Sequence, residues 1–318
     1  MSDMKAFKHT RRILRIPFEW FGIFLGLAVF AFLPRRAMQA VCDFASMFVY
    51  LFDSRGKRLA RANLAIMFPG GVGEKRARKL IRGHYRNAAR TIGHAFWTCC
   101  RARARVEAAG EMDARCRAEL AAHRPAITVS AHLGCWEILS QLAFLQGHAM
   151  MSVAKNIGTG GMTSLLMRAR KSIGQEIIPA EGAFRPLMNG LKNGKSLGLL
   201  VDQAVRPTDG GVWIRFFGRP VPVSAAPAFF SAKSKAPVLV AWSRPLPDGR
   251  YRCEFVAAHD ASEARDVWGL TQKVARDLEG VIRRHPSAWL LSYNAFRKTP
   301  KPEELAQLEA RERKAAAK

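Results

Sequence analysis

The stretch over residues 126–146 restricts the possible fold of this chain more than any other. It opens with a short run rich in β-branched residues, 126–131, which is typical of a buried strand. His132 follows directly, Gly134 permits a tight turn, and Glu137 begins a segment with the apolar spacing of a helix. We expect a strand, then a turn that carries the histidine, then a helix.

The turn decides which chemistry the histidine can perform. On one continuous helix, residues five apart point about 140° away from each other, so His132 and Glu137 would not meet. With a turn between them, the carboxylate can hold one imidazole nitrogen while the other nitrogen faces a cleft and accepts a proton from a hydroxyl. The pattern predicts a general base, His132, that Glu137 orients.

A purely structural role for the same two residues stays open on these grounds. With eight His and 25 acidic residues in 318 positions, a chance His-x4-acid spacing is expected roughly 0.6 times. A histidine capped by a carboxylate can also serve packing alone. Its position favours chemistry, because open α/β sheets place their reactive residues where strands end.

Several blocks of the sequence resemble one known family. Residues 130–137, which read SAHLGCWE, are similar to the first motif of the lipid A biosynthesis acyltransferases, within the wider glycerolipid and lysophospholipid acyltransferase superfamily. Further matches follow the same order: an NLxxxFP element at 63–69, an Asp-Gln pair at 202–203 and an FFGRP loop at 216–220. The resemblance covers about residues 63–289, and the order of the motifs makes it specific.

The resemblance implies an activity and its partners. It implies transfer of a fatty acyl group from a thioester of acyl carrier protein or coenzyme A to a hydroxyl of a glycolipid such as a lipid A precursor. It implies His132 and Glu137 as the catalytic pair. It also implies the inner membrane of a bacterium, with the catalytic domain on the cytoplasmic side.

The resemblance also implies four substrate-binding residues. Arg170, four residues before Gly174, matches an arginine near the family's active site and can hold an oxyanion or a phosphate. Asp202 follows a predicted strand, and Gly218 and Arg219 belong to the loop that helps to bind the acyl acceptor in the family. Each has a plainer alternative: a surface arginine on an amphipathic helix, a salt-bridge acid and an ordinary turn.

The cysteines suggest a second mechanism and exclude others. Cys135 stands three residues after His132 and is an alternative nucleophile that would form an acyl-enzyme. None of the six cysteines forms a C-x-x-C pair and no H-E-x-x-H occurs, so the sequence predicts no disulfide framework, no zinc site and no cofactor. We expect reduced thiols in a folded part that faces the cytosol.

The charge balance requires an anionic partner. The chain has 51 Lys and Arg against 25 Asp and Glu, a formal net charge of +26. Nucleic acid, an acidic membrane surface, a phosphorylated substrate and an acidic carrier protein all fit such a charge. No nucleic-acid-binding module accompanies it and the N-terminus is apolar, so we expect an anionic membrane surface and no nucleic acid. The family resemblance implies acyl carrier protein as a further partner. The non-enzymatic alternative is a basic peripheral membrane protein that binds anionic lipid.

The N-terminal segment predicts a membrane anchor. Residues 18–33 are apolar apart from Glu19 and have basic residues on both sides. Sixteen residues of helix span about 24 Å, short of the roughly 30 Å hydrocarbon core, so a helix lying in one leaflet stays open beside a full crossing. Pro34 and two arginines follow in place of a signal-peptidase site of small residues, so we expect the anchor to be uncleaved.

Alternating strand and helix patterns predict the fold class. We expect an α/β fold with a mixed, mostly parallel sheet flanked by helices, and an N-terminal hydrophobic membrane-anchoring helix. A turn at 247–249 predicts one antiparallel hairpin, and 289–293 is expected as a last strand. The predicted domains are an anchor with an interfacial helix (1–53), an acyltransferase domain (54–299) and a charged tail (300–318).

Overall fold

The computed structural model describes residue 17 and residues 20–154 and 161–317, and a seven-stranded sheet lies at the centre of that part of the chain. Its strands are β1 (Gly110–Met112), β2 (Ile127–Ser130), β3 (Met150–Ala154), β4 (Glu176–Pro179), β5 (Ser196–Leu200), β8 (Val238–Pro245) and β9 (Tyr251–His259). The other two strands, β6 (Gly211–Phe216) and β7 (Arg219–Ser224), form a separate antiparallel hairpin.

The main sheet has the strand order β1-β9-β8-β2-β5-β3-β4. Within the described residues its neighbouring strands pair in parallel, apart from β8 and β9, which are antiparallel. The expected mostly parallel sheet and its one hairpin at 247–249 are therefore confirmed. The hairpin forms because the turn between β8 and β9 is short, whereas parallel neighbours need a crossover that here contains a helix.

Helices surround the sheet. They are α1 (20–32), α2 (Arg35–Phe52), α3 (Ser54–Met67), α4 (Glu74–Thr98), α5 (Ala102–Ala109), α6 (Ala114–Ala122), α7 (Trp136–Leu145), α8 (Gly161–Lys171), α9 (Phe184–Lys192), α10 (Ala226–Ser234), α11 (Val267–Arg284) and α12 (Pro302–Ala316). Aspartates cap several of them, since the side chains of Asp53, Asp113 and Asp266 accept hydrogen bonds from first-turn N–H groups of α3, α6 and α11.

The core is divided between the two faces of the sheet. In β8, Val238, Val240 and Trp242 pack with apolar residues of α10 and α11, while Leu239 and Ala241 pack with residues of α5, α6 and α7. This follows from the alternation of side chains along a strand. β2 is buried along its whole length because β5 and β8 flank it and helices cover both faces.

The predicted membrane-anchoring helix lacks support. Among the described residues no helix has the length and apolar character needed to cross a bilayer, so the predicted anchoring span is not supported. α1 instead ends at residue 32, before Pro34, and packs on α4, where the rings of Phe30 and Phe96 lie 5.7 Å apart. Residues 1–16, 18 and 19, which include the N-terminal basic residues, lie outside the described part of the chain.

The strand expected at 289–293 is also wrong. This segment crosses the end of the sheet, where Trp289 forms a single antiparallel bridge with Leu133. It cannot join the sheet beside β2, because β5 and β8 already occupy both edges of that strand. The expected charged tail forms α12, which packs on β6 through the buried side chain of Leu308 and an ion pair of 3.1 Å between Glu312 and Arg215. The division into three domains stays a prediction.

Replacing Gly134 with Ala should destabilise the protein more than the same change at Gly147. Both glycines have positive φ, +64° and +83°, so each alanine should cost about 1 to 2 kcal/mol of unfolding free energy through its left-handed backbone. A Cβ at Gly134 would also collide with the carbonyl oxygen of Ser243, whereas no heavy atom lies within 4 Å of one at Gly147. Urea unfolding followed by tryptophan fluorescence measures both, and equal losses would contradict the predicted close approach.

Candidate functional site

Strand register brings His132 and Asp202 together. β2 and β5 are parallel neighbours, with Ser130 opposite Leu200, and the N–H of Val201 donates to the carbonyl of Ser130 at 3.1 Å. His132 is two residues beyond Ser130, and Asp202 is two residues beyond Leu200. The two side chains therefore leave the same end of the sheet side by side.

The carboxylate of Asp202 accepts three hydrogen bonds. The Nδ1 atom of His132 lies 2.7 Å from Oδ1, the backbone N–H of His132 donates to Oδ2 at 3.0 Å, and the indole N–H of Trp289 donates to Oδ2 at 2.9 Å. The Asp202 side chain is 2% exposed and the His132 side chain 17% exposed. The acid is thus sealed in the interior, while the imidazole reaches the surface.

These contacts determine the tautomer of His132. An ionised carboxylate can only accept, so Nδ1 carries the proton and Nε2 keeps its lone pair. The side-chain amide nitrogen of Gln203 lies 3.4 Å from Nε2. The edge of the ring of His132 that is left for a substrate is therefore its basic edge.

Burial and charge act against each other on the two pKa values. Burial disfavours the imidazolium form of His132, but the nearby Asp202 carboxylate more than offsets this, so the pKa of His132 is raised above its ordinary value. Burial favours the protonated form of Asp202, yet its partners His132 and Trp289 hold the pKa of this carboxyl below its ordinary value. The acid stays ionised beneath the imidazole and stabilises its positive form.

Glu137 does not orient His132 by direct contact, which corrects the expected pair. Its two oxygens accept a bidentate pair of hydrogen bonds from Arg170, at 2.8 Å from Nε and 2.7 Å from Nη2. The indole N–H of Trp136 donates to the same carboxylate at 3.1 Å. A guanidinium matches both oxygens of a carboxylate, and the imidazole is already held by Asp202, so the five-residue spacing does not become a contact.

Glu137 and Arg170 form a buried ion pair, with side chains 4% and 15% exposed. Burial lowers the pKa of Arg170, but the Glu137 carboxylate offsets this and raises it overall, so the guanidinium stays charged. The charges of the pair act on His132 in opposite directions, Glu137 raising its pKa and Arg170 lowering it. The pair therefore lies close enough to influence the base without touching it.

Aromatic rings pack around His132 and around Trp289, which contacts Asp202. The ring of Trp136 meets that of His132 edge to face, with centroids 4.8 Å apart. Phe216 and Phe217 pack on Trp289 with centroids at 6.1 and 6.0 Å. The phenylalanines of the FFGRP loop thus support the tryptophan that donates to Asp202.

The segment that carries Trp289 is clamped by two residues of the N-terminal helices. His84 is buried, which lowers its pKa to about 4, and its Nδ1 donates to the carbonyl of Trp289 at 2.9 Å. The amide of Asn63 donates to the carbonyls of Leu291 and Tyr293 at 2.8 and 2.7 Å. The asparagine of the NLxxxFP element therefore holds the segment that completes the site.

The structure brings together four of the six predicted site residues. His132, Glu137, Arg170 and Asp202 form one connected group, in which Asp202 has the contact that was expected of Glu137. Gly218 and exposed Arg219 lie at the turn of the β6–β7 hairpin, and no described contact joins them to this group. Sequence reasoning missed Trp136 and Trp289. A buried tryptophan needs a hydrogen-bond acceptor for its indole N–H, and this requirement could have indicated that Trp289 contacts a polar residue of the site.

The alternative nucleophile Cys135 is buried and inert. Burial raises the pKa of its thiol to about 12, so the reactive thiolate is absent near neutral pH.

Among the described residues no group of three or more His, Cys, Asp or Glu side chains is arranged to hold a metal ion. A narrow apolar cavity of about 20 Å³ lies between Asp202 and α11, enough for one water molecule.

Asp202→Asn should lower the pKa of His132, and by more than Glu137→Gln does. The asparagine variant loses the carboxylate that raises this pKa, and burial then acts on the imidazole without opposition. The glutamine variant removes only a more distant charge. NMR titration of the imidazole Cε1–H, assigned through its absence in His132→Gln, measures both values. An equal or larger fall in Glu137→Gln would mean that Asp202 is not the dominant partner.

Comparison with known proteins identifies the family of this chain. The chain matches the family model described as bacterial lipid A biosynthesis acyltransferase over residues 4–298. It is also similar to the phosphatidylinositol mannoside acyltransferases of two Mycobacterium tuberculosis strains, CDC 1551 / Oshkosh and ATCC 25618 / H37Rv, at 26% identity over 179 residues. Each match covers 54% of this chain and 54% of the relative, so the chain spans about half the length of the curated relatives it matches. Because the family match extends over nearly the whole sequence, this chain belongs to the bacterial lipid A biosynthesis acyltransferase family.

Proposed function

We propose that this protein is a membrane-associated O-acyltransferase that moves a fatty acyl group from a thioester donor to a hydroxyl of a glycolipid acceptor. His132 is the general base and Asp202 is the acid that orients it. One observation carries the proposal: the 2.7 Å contact between Asp202 and Nδ1, which leaves a basic Nε2 on a partly exposed ring. Family membership supplies the reaction class.

The proton transfers follow from this tautomer. Nε2 of His132 accepts the proton of the acceptor hydroxyl while its oxygen attacks the thioester carbonyl carbon, and a C–O bond forms. The imidazolium that results is stabilised by the buried carboxylate of Asp202. When the tetrahedral intermediate collapses, the C–S bond breaks, and the proton on Nε2 passes to the leaving thiolate. His132 returns to its starting form, and the products are an ester and a thiol.

Arg170 is our proposed stabiliser of negative charge in this reaction. A guanidinium has five N–H donors, and Glu137 accepts from two of its nitrogens, Nε and Nη2. The remaining donors stay available for the oxyanion of the intermediate or for a phosphate. Glu137 is a positioning residue in this scheme, because a bidentate ion pair holds the guanidinium in one orientation.

Acyl carrier protein is our proposed donor, and a lipid A precursor our proposed acceptor. The formal charge of +26 favours an acidic carrier, and α4 presents exposed cations at Lys75, Lys79, Arg82 and Arg86. The family description favours a lipid A precursor, while the mycobacterial relatives are named for a phosphatidylinositol mannoside. Both names describe glycolipids, so a sugar hydroxyl is the shared acceptor chemistry.

Exposed apolar side chains on α1 and α2 support attachment to one leaflet of a membrane, which we place at the bacterial inner membrane. Exposed large residues of these helices include Phe21, Phe24, Leu25, Phe32, Phe44, Met47, Phe48, Val49, Leu51 and Phe52. A soluble monomer rarely exposes so large an apolar surface, whereas helices lying in the headgroup region bury one. Acyl thioesters are made in the cytosol, so the site would face the cytoplasm.

His132→Gln should abolish acyl transfer. A positioned base contributes on the order of 100- to 10,000-fold, so acceptor-dependent release of thiol from an acyl thioester should fall by that factor. His123→Gln is the matched control, because His123 lies at the end of α6 and contacts Glu119. The measurement is thiol release by detergent-solubilised protein. A His132→Gln variant with the turnover of the control would contradict the proposed base. Equally slow thiol release by the unmodified protein and the variant, with both binding anionic vesicles, would favour a non-enzymatic lipid-binding role.

Replacing Phe44 and Phe48 together with Ser should weaken binding to anionic vesicles. Burying one phenylalanine is worth about 1.5 to 3 kcal/mol, so partition into phosphatidylglycerol vesicles should fall at least about tenfold. The control replaces Phe184 and Phe229, a similarly exposed aromatic pair on α9 and α10. Vesicle flotation measures the bound fraction. Equal loss in the two double variants would show that α2 is not a specific membrane-binding surface.

A further inference from the structure

A polar hollow begins one residue after Gln203, which contacts His132, and has no role in the mechanism above. Its volume is about 460 Å³, within the range of small-ligand sites. The residues that line it are Ala204, Val205, Arg206, Asp209, Arg297 and Lys298. We call it the 204–298 hollow.

The 204–298 hollow has two walls: residues 204–209 form the first, and residues 297–298 form the second. Each wall follows a segment that contacts His132. The first wall begins at Ala204, directly after Gln203, whose amide lies 3.4 Å from the Nε2 of His132. The second wall follows the segment in which the N–H of Leu290 donates to the carbonyl of His132 at 3.0 Å. Both walls of the hollow are therefore continuous in the chain with segments that contact His132.

The first wall is also fixed against the β6–β7 hairpin. The N–H of Val205 donates to the carbonyl of Pro222 at 2.8 Å, and Ala204 forms an antiparallel bridge with Val223. On the second wall, the ring of Phe296 stacks on Phe216 at 6.4 Å, just before Arg297. Both walls thus rest on the same hairpin, which sets the distance between them.

The charge of the 204–298 hollow is positive and only partly compensated. Arg206 forms an ion pair with Asp209 at 3.0 Å. Arg297 and Lys298 are exposed, and among the described residues neither has a carboxylate within 4.0 Å; Arg297 lies over the ring of Tyr293. Among the described residues that line the hollow, three cations and one acid leave two positive charges, which suits an anion with several oxygens.

We propose that the 204–298 hollow is a phosphate subsite, in which Arg297 and Lys298 bind a phosphate ester of a substrate whose reacting group lies at His132. The inference rests on the proposed function and deepens it. Two substrates carry such a group: the headgroup of a phosphorylated glycolipid acceptor, and the phosphopantetheine arm that coenzyme A and acyl carrier protein share. The shared chemistry is a phosphate ester held by a guanidinium and an ammonium.

The first test uses inorganic pyrophosphate and the full-length protein in detergent. Isothermal titration calorimetry should detect one site that weakens as salt is raised, and R297Q/K298Q should weaken it about tenfold or more, because charge-assisted hydrogen bonds are lost. The control is R311Q/K314Q on the exposed face of α12, which removes the same charge at two other exposed positions. It should change affinity less than twofold. Equal weakening in both variants would overturn the proposal and leave only a general effect of net charge.

This first test is independent of catalysis. The His132→Gln variant should bind pyrophosphate as the unmodified protein does, so the subsite can fail or hold whether or not the proposed reaction is correct. A pyrophosphate site that vanishes in His132→Gln would contradict a phosphate subsite built from Arg297 and Lys298.

The second test distinguishes the two sources of phosphate by steady-state kinetics. In R297Q/K298Q, a higher KM for acyl coenzyme A with kcat little changed would assign the hollow to the phosphopantetheine arm. A higher KM for a phosphorylated glycolipid, with no change for the same glycolipid after phosphatase treatment, would assign it to the acceptor headgroup. Unchanged KM for all three substrates would overturn the subsite.

Discussion

The contact between His132 and Asp202 depends on the register of two buried parallel strands. Ser130 pairs with Leu200, and each of the two site residues stands two positions further along its strand. A shift of one residue would turn one of the side chains to the opposite face of the sheet. Because Asp202 is almost fully buried, its charge needs compensation, and the imidazole, a backbone N–H and the Trp289 indole provide it. The NLxxxFP element, α4 and the β6–β7 hairpin contribute to the site mainly by holding the segment that carries Trp289.

The two acids near the base have separate partners for an electrostatic reason. Glu137 and Arg170 are both buried, and a buried ion pair is tolerated only when its geometry is good, as the bidentate contact provides. If Glu137 turned to the imidazole, Arg170 would be left as a buried charge without a carboxylate, and Asp202 would lose the hydrogen bond from the imidazole Nδ1. The observed pairing satisfies both acids. In our scheme the two pairs also have separate roles. Asp202 controls the protonation of His132, and Arg170 stabilises negative charge.

The surfaces around the site differ in a way that suits the reaction we propose between a lipid and a carrier-bound acyl group. The apolar residues of α1 and α2 are suited to the hydrocarbon edge of a leaflet, and the cations of α4 to phosphates or an acidic protein. The 204–298 hollow adds a polar, positively charged volume whose walls continue segments that contact His132. On our proposals, an amphiphilic substrate would have its phosphate in this hollow and its hydroxyl or thioester at His132.

The sequence alone was enough to predict the strand–turn–helix at 126–146, the mostly parallel sheet, the hairpin at 247–249 and the place of His132 in the turn after a strand. These features depend on interactions within short segments, such as the apolar run of β2, the turn at Gly134 and the alternation of strands with helices. Tertiary structure decided what no local spacing encodes. Asp202 is 70 residues from His132 along the chain, and Trp289 is 87 residues from Asp202; only the strand order and the closing of the C-terminal segment over the sheet bring them together. The His-x4-Glu spacing indicates where the site lies. Which acid pairs with His132 and which with Arg170 is decided by the distances between these side chains in the folded protein.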